Sequence, residues 1–187
     1  MNLPVANRTG YSLGIGSAVV CGILRVIQTV NFAPIGAFTI YSGARIQGTR
    51  SFLIPLLLML VTDAVLGLTR YGWQTWTLVT PFIYFAFVVN ILMGRLLRDT
   101  ESPLAIIGAT AAGSIQFFVT SNLGVWLTSG MYSLDLIGLV DCFVKAIPFH
   151  RLTFLSDILF TCSLFLAHHF LAAREAEPAQ QPETRPV

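Results

Sequence analysis

The chain has 187 residues, 55% of them hydrophobic and only 11% charged, with a mean hydropathy of +0.73 and a formal net charge of +2. A soluble domain carries roughly 25% charged residues, so this composition excludes a water-soluble globular domain. The thin scatter of bases excludes a nucleic-acid surface.

What remains is an all-α membrane protein, a bundle of about six transmembrane helices. A span needs about 20 apolar residues to cross the hydrocarbon core. Residues 1–10 are too short and polar for a cleaved signal peptide and read as a cytoplasmic N-terminus. The transmembrane domain occupies 11–173, with helices expected at 11–30, 34–47, 51–68, 77–97, 103–127 and 152–173. Pro34 suits the first helical position. The second segment is short, about 21 Å long, so it either crosses beside a thinned bilayer or re-enters. Tyr71, Trp73 and Trp76, between the third and fourth helices, match an interfacial aromatic belt. Residues 128–151 read as a cap at the outer surface, and 174–187 have the composition of a disordered tail.

Arginine and lysine orient the bundle. With six crossings, Arg8, Arg45, Arg50, Arg95, Arg98, Arg174 and Arg185 share one side, against Arg70, Lys145 and Arg151 on the other. Both termini are then cytoplasmic. If the second helix re-enters, only the N-terminus changes side.

Ionisable groups inside a span cost about 2.5–3.5 kcal/mol each on insertion scales. Arg25, Asp63 and Asp157 are embedded, and the expected topology places all three in the outer half of the membrane. Asn31 and Phe32, at the outer end of the first helix, and Asn122 and Trp126, four apart near the outer end of the fifth, share that level. Asp141, Lys145, Phe149 and His150 lie in the cap segment. Two readings follow, and both can hold: a salt bridge from Arg25 to Asp63 or Asp157, or a polar pocket open to the outside. In the pocket reading Arg25 fixes an anionic group, and Trp126 and Phe32 stack on a ring.

The first helix carries a small-residue stripe, Gly10, Gly14, Ala18 and Gly22, which lets another helix approach closely. That helix belongs either to this chain or to a separate subunit. His168 and His169 close the sixth helix and read as interfacial. Cys21, Cys142 and Cys162 have no metal-ligand spacing, so apolar packing and no metal are expected. No HExxH, GxSxG, Walker A or GxGxxG motif occurs in a usable context, so neither an enzyme nor a cofactor is expected.

Several stretches resemble a known family: Arg25 with Asn31-Phe32-Ala33-Pro34, Pro55 with Asp63 and Gly67, Ser121-Asn122-Leu123-Gly124-Val125-Trp126, Gly138-Leu139-Val140-Asp141, Ala146-Ile147-Pro148-Phe149 and Asp157-Ile158-Leu159-Phe160. Together, over about residues 20–165, they resemble an uncharacterised family of small bacterial membrane proteins assigned to transport. That family is similar to the S components of energy-coupling factor (ECF) transporters. The resemblance implies a six-helix substrate-binding subunit in the bacterial inner membrane. It holds a vitamin, metal or other micronutrient in an outer pocket capped by loops, and it docks through the first helix on a transmembrane coupling subunit with ATPases.

The expected substrate-binding set is therefore Arg25, Asn31, Phe32, Asp63, Asn122, Trp126 and Asp157, with Asp141, Lys145 and Phe149 in the cap and Gly14, Ala18 and Gly22 as the docking face. The expected partners are a small molecule, the lipid bilayer and that coupling module. The rival expectation is a structural subunit of a larger membrane complex with no ligand of its own.

Overall fold

The computed structural model describes residues 5–27 and 34–176. It contains six α-helices in chain order: α1 (Val5–Ile27), α2 (Ile35–Arg45), α3 (Arg50–Leu66), α4 (Thr80–Arg95), α5 (Pro103–Thr128) and α6 (Leu136–Ala176). No strand occurs among the described residues. Four helical stretches are long and apolar enough to cross a membrane: Arg8–Ile27, Arg50–Tyr71, Pro103–Thr128 and Leu136–Glu175. These four apolar helices suggest a membrane protein.

The surface agrees with that. Ile15, Val19 and Ile23 on α1, Leu53, Leu57 and Leu60 on α3, and Leu159 and Leu166 on α6 are exposed. The interior instead holds Thr39, Ser42, Asn90, Thr110, Ser114, Asp157 and Thr161. Apolar groups outside and hydrogen-bonding groups inside is the arrangement that lipid favours.

Three segments differ from the sequence expectation, the first being α1, which begins at Val5 rather than at 11. The fourth helix starts at Thr80, which puts Pro81 in the first turn, where its missing N–H forfeits no intrahelical bond. Residues 77–79 and 96–99 form turns at its two ends, leaving 16 helical residues. The cap segment 128–151 is not a separate element. After a short link at 129–135, α6 begins at Leu136 and runs for 41 residues, about 61 Å, straight through Pro148. Asp135 sets its start, accepting the Gly138 N–H at 2.7 Å and the Ser133 hydroxyl at 2.8 Å. These bonds hold the exposed Asp135 carboxyl below its ordinary pKa. At the far end α6 continues to Ala176, past the expected boundary at 173, and residues 177–187 of the tail lie outside the described residues.

The centre of the bundle is α2, with Ile35 to Ala44 all buried. Its 11 residues span only about 17 Å, so the helix does not cross the bilayer on its own. Its closest neighbour is α4. A Cβ on Gly43 would strike the Ile91 carbonyl, and one on Gly94 would strike that of Ile40, so the two backbones touch where the helices meet.

Arginines finish both helices. Arg45 donates to the carbonyls of Leu97, Arg98 and Thr100 at 3.0–3.1 Å, and its guanidinium sits over the Phe165 ring at 5.1 Å. Arg98 returns the contact to Gly43 and Ile46 at 3.3 and 3.5 Å. Cations at helix C-termini satisfy carbonyls that have no intrahelical partner. The same end of the bundle holds both outer helices together: the Thr9 hydroxyl donates to Glu175 at 2.7 Å. The start of α1 and the end of α6 therefore lie together at the arginine-rich end.

The Gly43/Gly94 contact yields a prediction. Gly94→Leu should lower stability by about 3 kcal/mol, at the upper end of overpacking costs. Gly16→Leu, where a Cβ meets nothing within 4 Å, should leave stability unchanged. Thermal unfolding of both variants in detergent checks the contrast.

Candidate functional site

The site begins with the N-terminus of α2. The first N–H groups of a helix have no intrahelical partner, and inside an apolar bundle water cannot serve them. Asp157, from the middle of α6, accepts the Ala37 N–H at 3.0 Å. The approach is possible because residue 36 is glycine: a Cβ there would lie 2.6 Å from both carboxylate oxygens. The Ser114 hydroxyl lies beside the same carboxylate. Asp157 is 2% exposed, so its charge faces α2 rather than lipid.

A second charged unit stands at a similar level. Arg25 of α1 pairs with Asp63 of α3 at 2.6 Å and also donates to the Thr62 hydroxyl. The other Asp63 oxygen accepts from the Tyr84 hydroxyl of α4 at 2.8 Å. Of the two salt bridges open to Arg25, the one with Asp63 forms, tying α1, α3 and α4 together. Asp157 belongs to α2 instead.

Between these units lies a cavity of about 520 Å³. Arg25, Asn122 and Asp157 share its wall with Gly36, and α6 contributes Phe149, His150 and Thr153. The rest of the wall is mostly apolar, divided between aliphatic side chains such as Ile35, Met59 and Ile83 and aromatic ones. Phe87 and Phe117 stack with centroids 5.0 Å apart, and Phe118 lies 4.6 Å from the His150 ring. Asp63 lines an adjoining space of about 330 Å³ that Arg25 also borders. The cavity lies away from the arginine-rich end, because Arg25 is about 22 Å along α1 from Gly10, which packs on the Arg45 carbonyl.

Other expected residues fall elsewhere. Trp126 is outside the cavity wall, and its indole N–H donates to the Ser133 carbonyl at 2.9 Å, bracing the link between α5 and α6. Asp141 and Lys145 form an exposed ion pair at 2.7 Å, one helical turn apart. Lys145 borders a shallow groove beside the cavity, and Phe149 and Asn122 border both. Of the expected cap residues, Phe149 alone reaches the cavity. Asn31 and Phe32 lie outside the described residues.

The small-residue stripe is covered from within the chain. Gly14 meets Ile46, Gly22 meets Leu58 and Thr62, and Ala18 packs against a core cluster that includes Phe38 and Met59. The expectation of a docking face for a separate subunit at Gly14, Ala18 and Gly22 is therefore corrected: α2 and α3 occupy it. His168 is also not interfacial. It is buried and bonds the fully buried Tyr41 hydroxyl at 3.0 Å through Nδ1. His169 is exposed and faces Glu101 at 3.4 Å.

Sequence reasoning missed Gly36, Phe87, Phe117, Phe118 and Thr153 as lining residues. One signal was available: Phe118, Ser121 and Asn122 are spaced i, i+3, i+4 and so share one face of a helix. Nothing local marks Phe87.

One protein-family model matches residues 6–180, that of DUF6580, described as a family of unknown function. Neither a curated protein nor a solved structure matches the chain.

The ion pair gives a test of its own. Arg25→Met should destabilise the fold by about 3–5 kcal/mol, because it leaves a buried carboxylate unpaired. The double replacement Arg25→Met with Asp63→Leu should recover most of that loss. A double-mutant cycle on unfolding midpoints reads the difference.

Proposed function

We propose that this chain, which belongs to the DUF6580 family, is the membrane-embedded substrate-binding subunit of a small-molecule importer. The observation that carries the reading is the cavity of about 520 Å³ in which Arg25, Asn122 and Asp157 meet a wall of aromatic and aliphatic side chains. Ligand sites for small molecules are concave, largely apolar and provided with a few convergent polar groups, at about 300–1,000 Å³. Intramembrane charges are costly and mark functional sites by default.

The arginine-rich end is the cytoplasmic end on the positive-inside rule. In this reading both termini are cytoplasmic, since Thr9 and Glu175 meet at that end, and the cavity opens toward the outside of a bacterial inner membrane. A vitamin or other micronutrient is the fitting cargo. The chain offers no nucleotide-binding motif, so the energy comes from a coupling module or an ion gradient. A coupling subunit would find the stripe on α1 already covered and would dock on another surface.

The rival role, a scaffold without a ligand, rested on that stripe as a free docking face. Its coverage by α2 and α3 removes the feature that favoured it.

The test is mass spectrometry of small molecules carried through purification of the full chain. Wild-type protein should retain a ligand, and Asn122→Ala should lose at least about nine-tenths of it, on the order of the 1.4 kcal/mol that a tenfold change in affinity represents. Trp126→Ala, outside the cavity, should retain it. Loss from both variants alike, or from neither, would count against the cavity as the binding site. Unchanged gel-filtration profiles confirm that the fold survives.

A further inference from the structure

The charges and hydrogen-bonding capacity around the cavity point to one class of ligand. Arg25, which the sequence suggested as an anion receptor, is already engaged. Its guanidinium meets Asp63 at 2.6 Å and the Thr62 hydroxyl, and Asp63 is further held by Tyr84. The pair is neutral as a unit, with Arg25 in the cavity wall and Asp63 directly behind it in the adjoining space. Asp157 is the one carboxylate among the described residues of the wall, and the group it accepts from, the Ala37 N–H, is neutral. The partial positive charge at the start of α2, about half an elementary charge, offsets only part of it. Counting Asp63 behind Arg25, and His150 as neutral, the ionisable groups at the site carry one formal negative charge. Lys145 does not cancel it, being paired with Asp141 in the neighbouring groove.

The neutral polar groups lean the same way. The Asn122 side-chain N–H₂ donates to the Phe118 carbonyl at 2.7 Å, which leaves its carbonyl oxygen to accept. The Ser121 hydroxyl donates to the Phe117 carbonyl at 2.7 Å and is likewise left as an acceptor. Phe87, Phe117, Phe118 and Phe149 line the cavity, and aromatic quadrupoles attract cations.

We infer that the cavity receives a planar nitrogen heterocycle that is positively charged and carries N–H donors. Asp157 is its counter-charge, and the phenylalanine rings are its walls. The inference rests on the reading of the cavity as a substrate site and adds the ligand's charge and shape.

Three probes of nearly equal shape separate the possibilities: 1-methylnicotinamide (a cation), nicotinamide (neutral) and nicotinate (an anion). Calorimetry on the full chain in lipid nanodiscs at pH 7.5 should show the cation binding about tenfold more tightly than the anion. Asp157→Asn keeps an acceptor for the Ala37 N–H and should erase that preference. Asp63→Asn releases Arg25 and should narrow or reverse it while leaving Asp157 untouched.

Nicotinate binding as tightly as the cation, or none of the three binding at millimolar concentration, overturns the charge assignment. If a co-purifying molecule is still lost from Asn122→Ala in that case, the substrate-site reading stands and only the ligand class falls. If no molecule co-purifies and no probe binds, both fall.

Discussion

A helix of 11 residues buried inside an apolar bundle leaves several N–H and C=O groups at its ends without intrahelical partners. The structure meets this constraint with charge from distant parts of the chain. At the start of α2 the Asp157 carboxylate reaches in from α6, 120 residues away in sequence. At its end Arg98 serves the carbonyls of Gly43 and Ile46, while Arg45 serves those that finish α4. Without those groups α2 could not remain in the interior, and the other helices would lose the element they surround.

Close approach makes the arrangement possible. Gly36 admits the carboxylate, Gly43 and Gly94 admit two backbones, and Gly10 admits the Arg45 carbonyl to α1. In lipid there is no hydrophobic drive between helices, so van der Waals contact and interhelical hydrogen bonds supply the cohesion. The buried Ser42, which donates to the Ser51 carbonyl of α3 at 2.9 Å, fits that account, as do the Tyr41–His168 bond and the Arg25–Asp63–Tyr84 unit.

The cavity is a consequence of the short helix. Because α2 starts partway through the bundle, the space beyond its N-terminus is walled by longer helices and floored by Gly36 and Asp157. The same carboxylate thus holds the fold together and sets the electrostatics of the space above it. Arg25 is paired with Asp63, so the carboxylate of the wall without a cationic partner is that of Asp157, beside aromatic and aliphatic side chains. Under the proposed function, fold and ligand recognition share this one residue.

The sequence by itself determined the helical architecture, the apolar stretches that suggest a membrane protein and the chain positions of most helices, because hydropathy over about 20 residues depends only on local composition. It also determined that Arg25, Asp63, Asn122 and Asp157 lie near one level, since depth along a helix follows from residue count at a fixed rise. The partner of each charge was beyond its reach. Arg25 had two carboxylates at similar depth, and helix packing alone chose Asp63 and gave Asp157 to α2. Facing directions were likewise hidden: Trp126 shares the depth of Asn122 but turns to Ser133, and the stripe on α1 is filled by α2 and α3. Phe87 entered the wall only because α4 crosses α2 at Gly94. Depth is a property of one segment and can be counted, whereas contact is a property of two segments and exists only once they have packed.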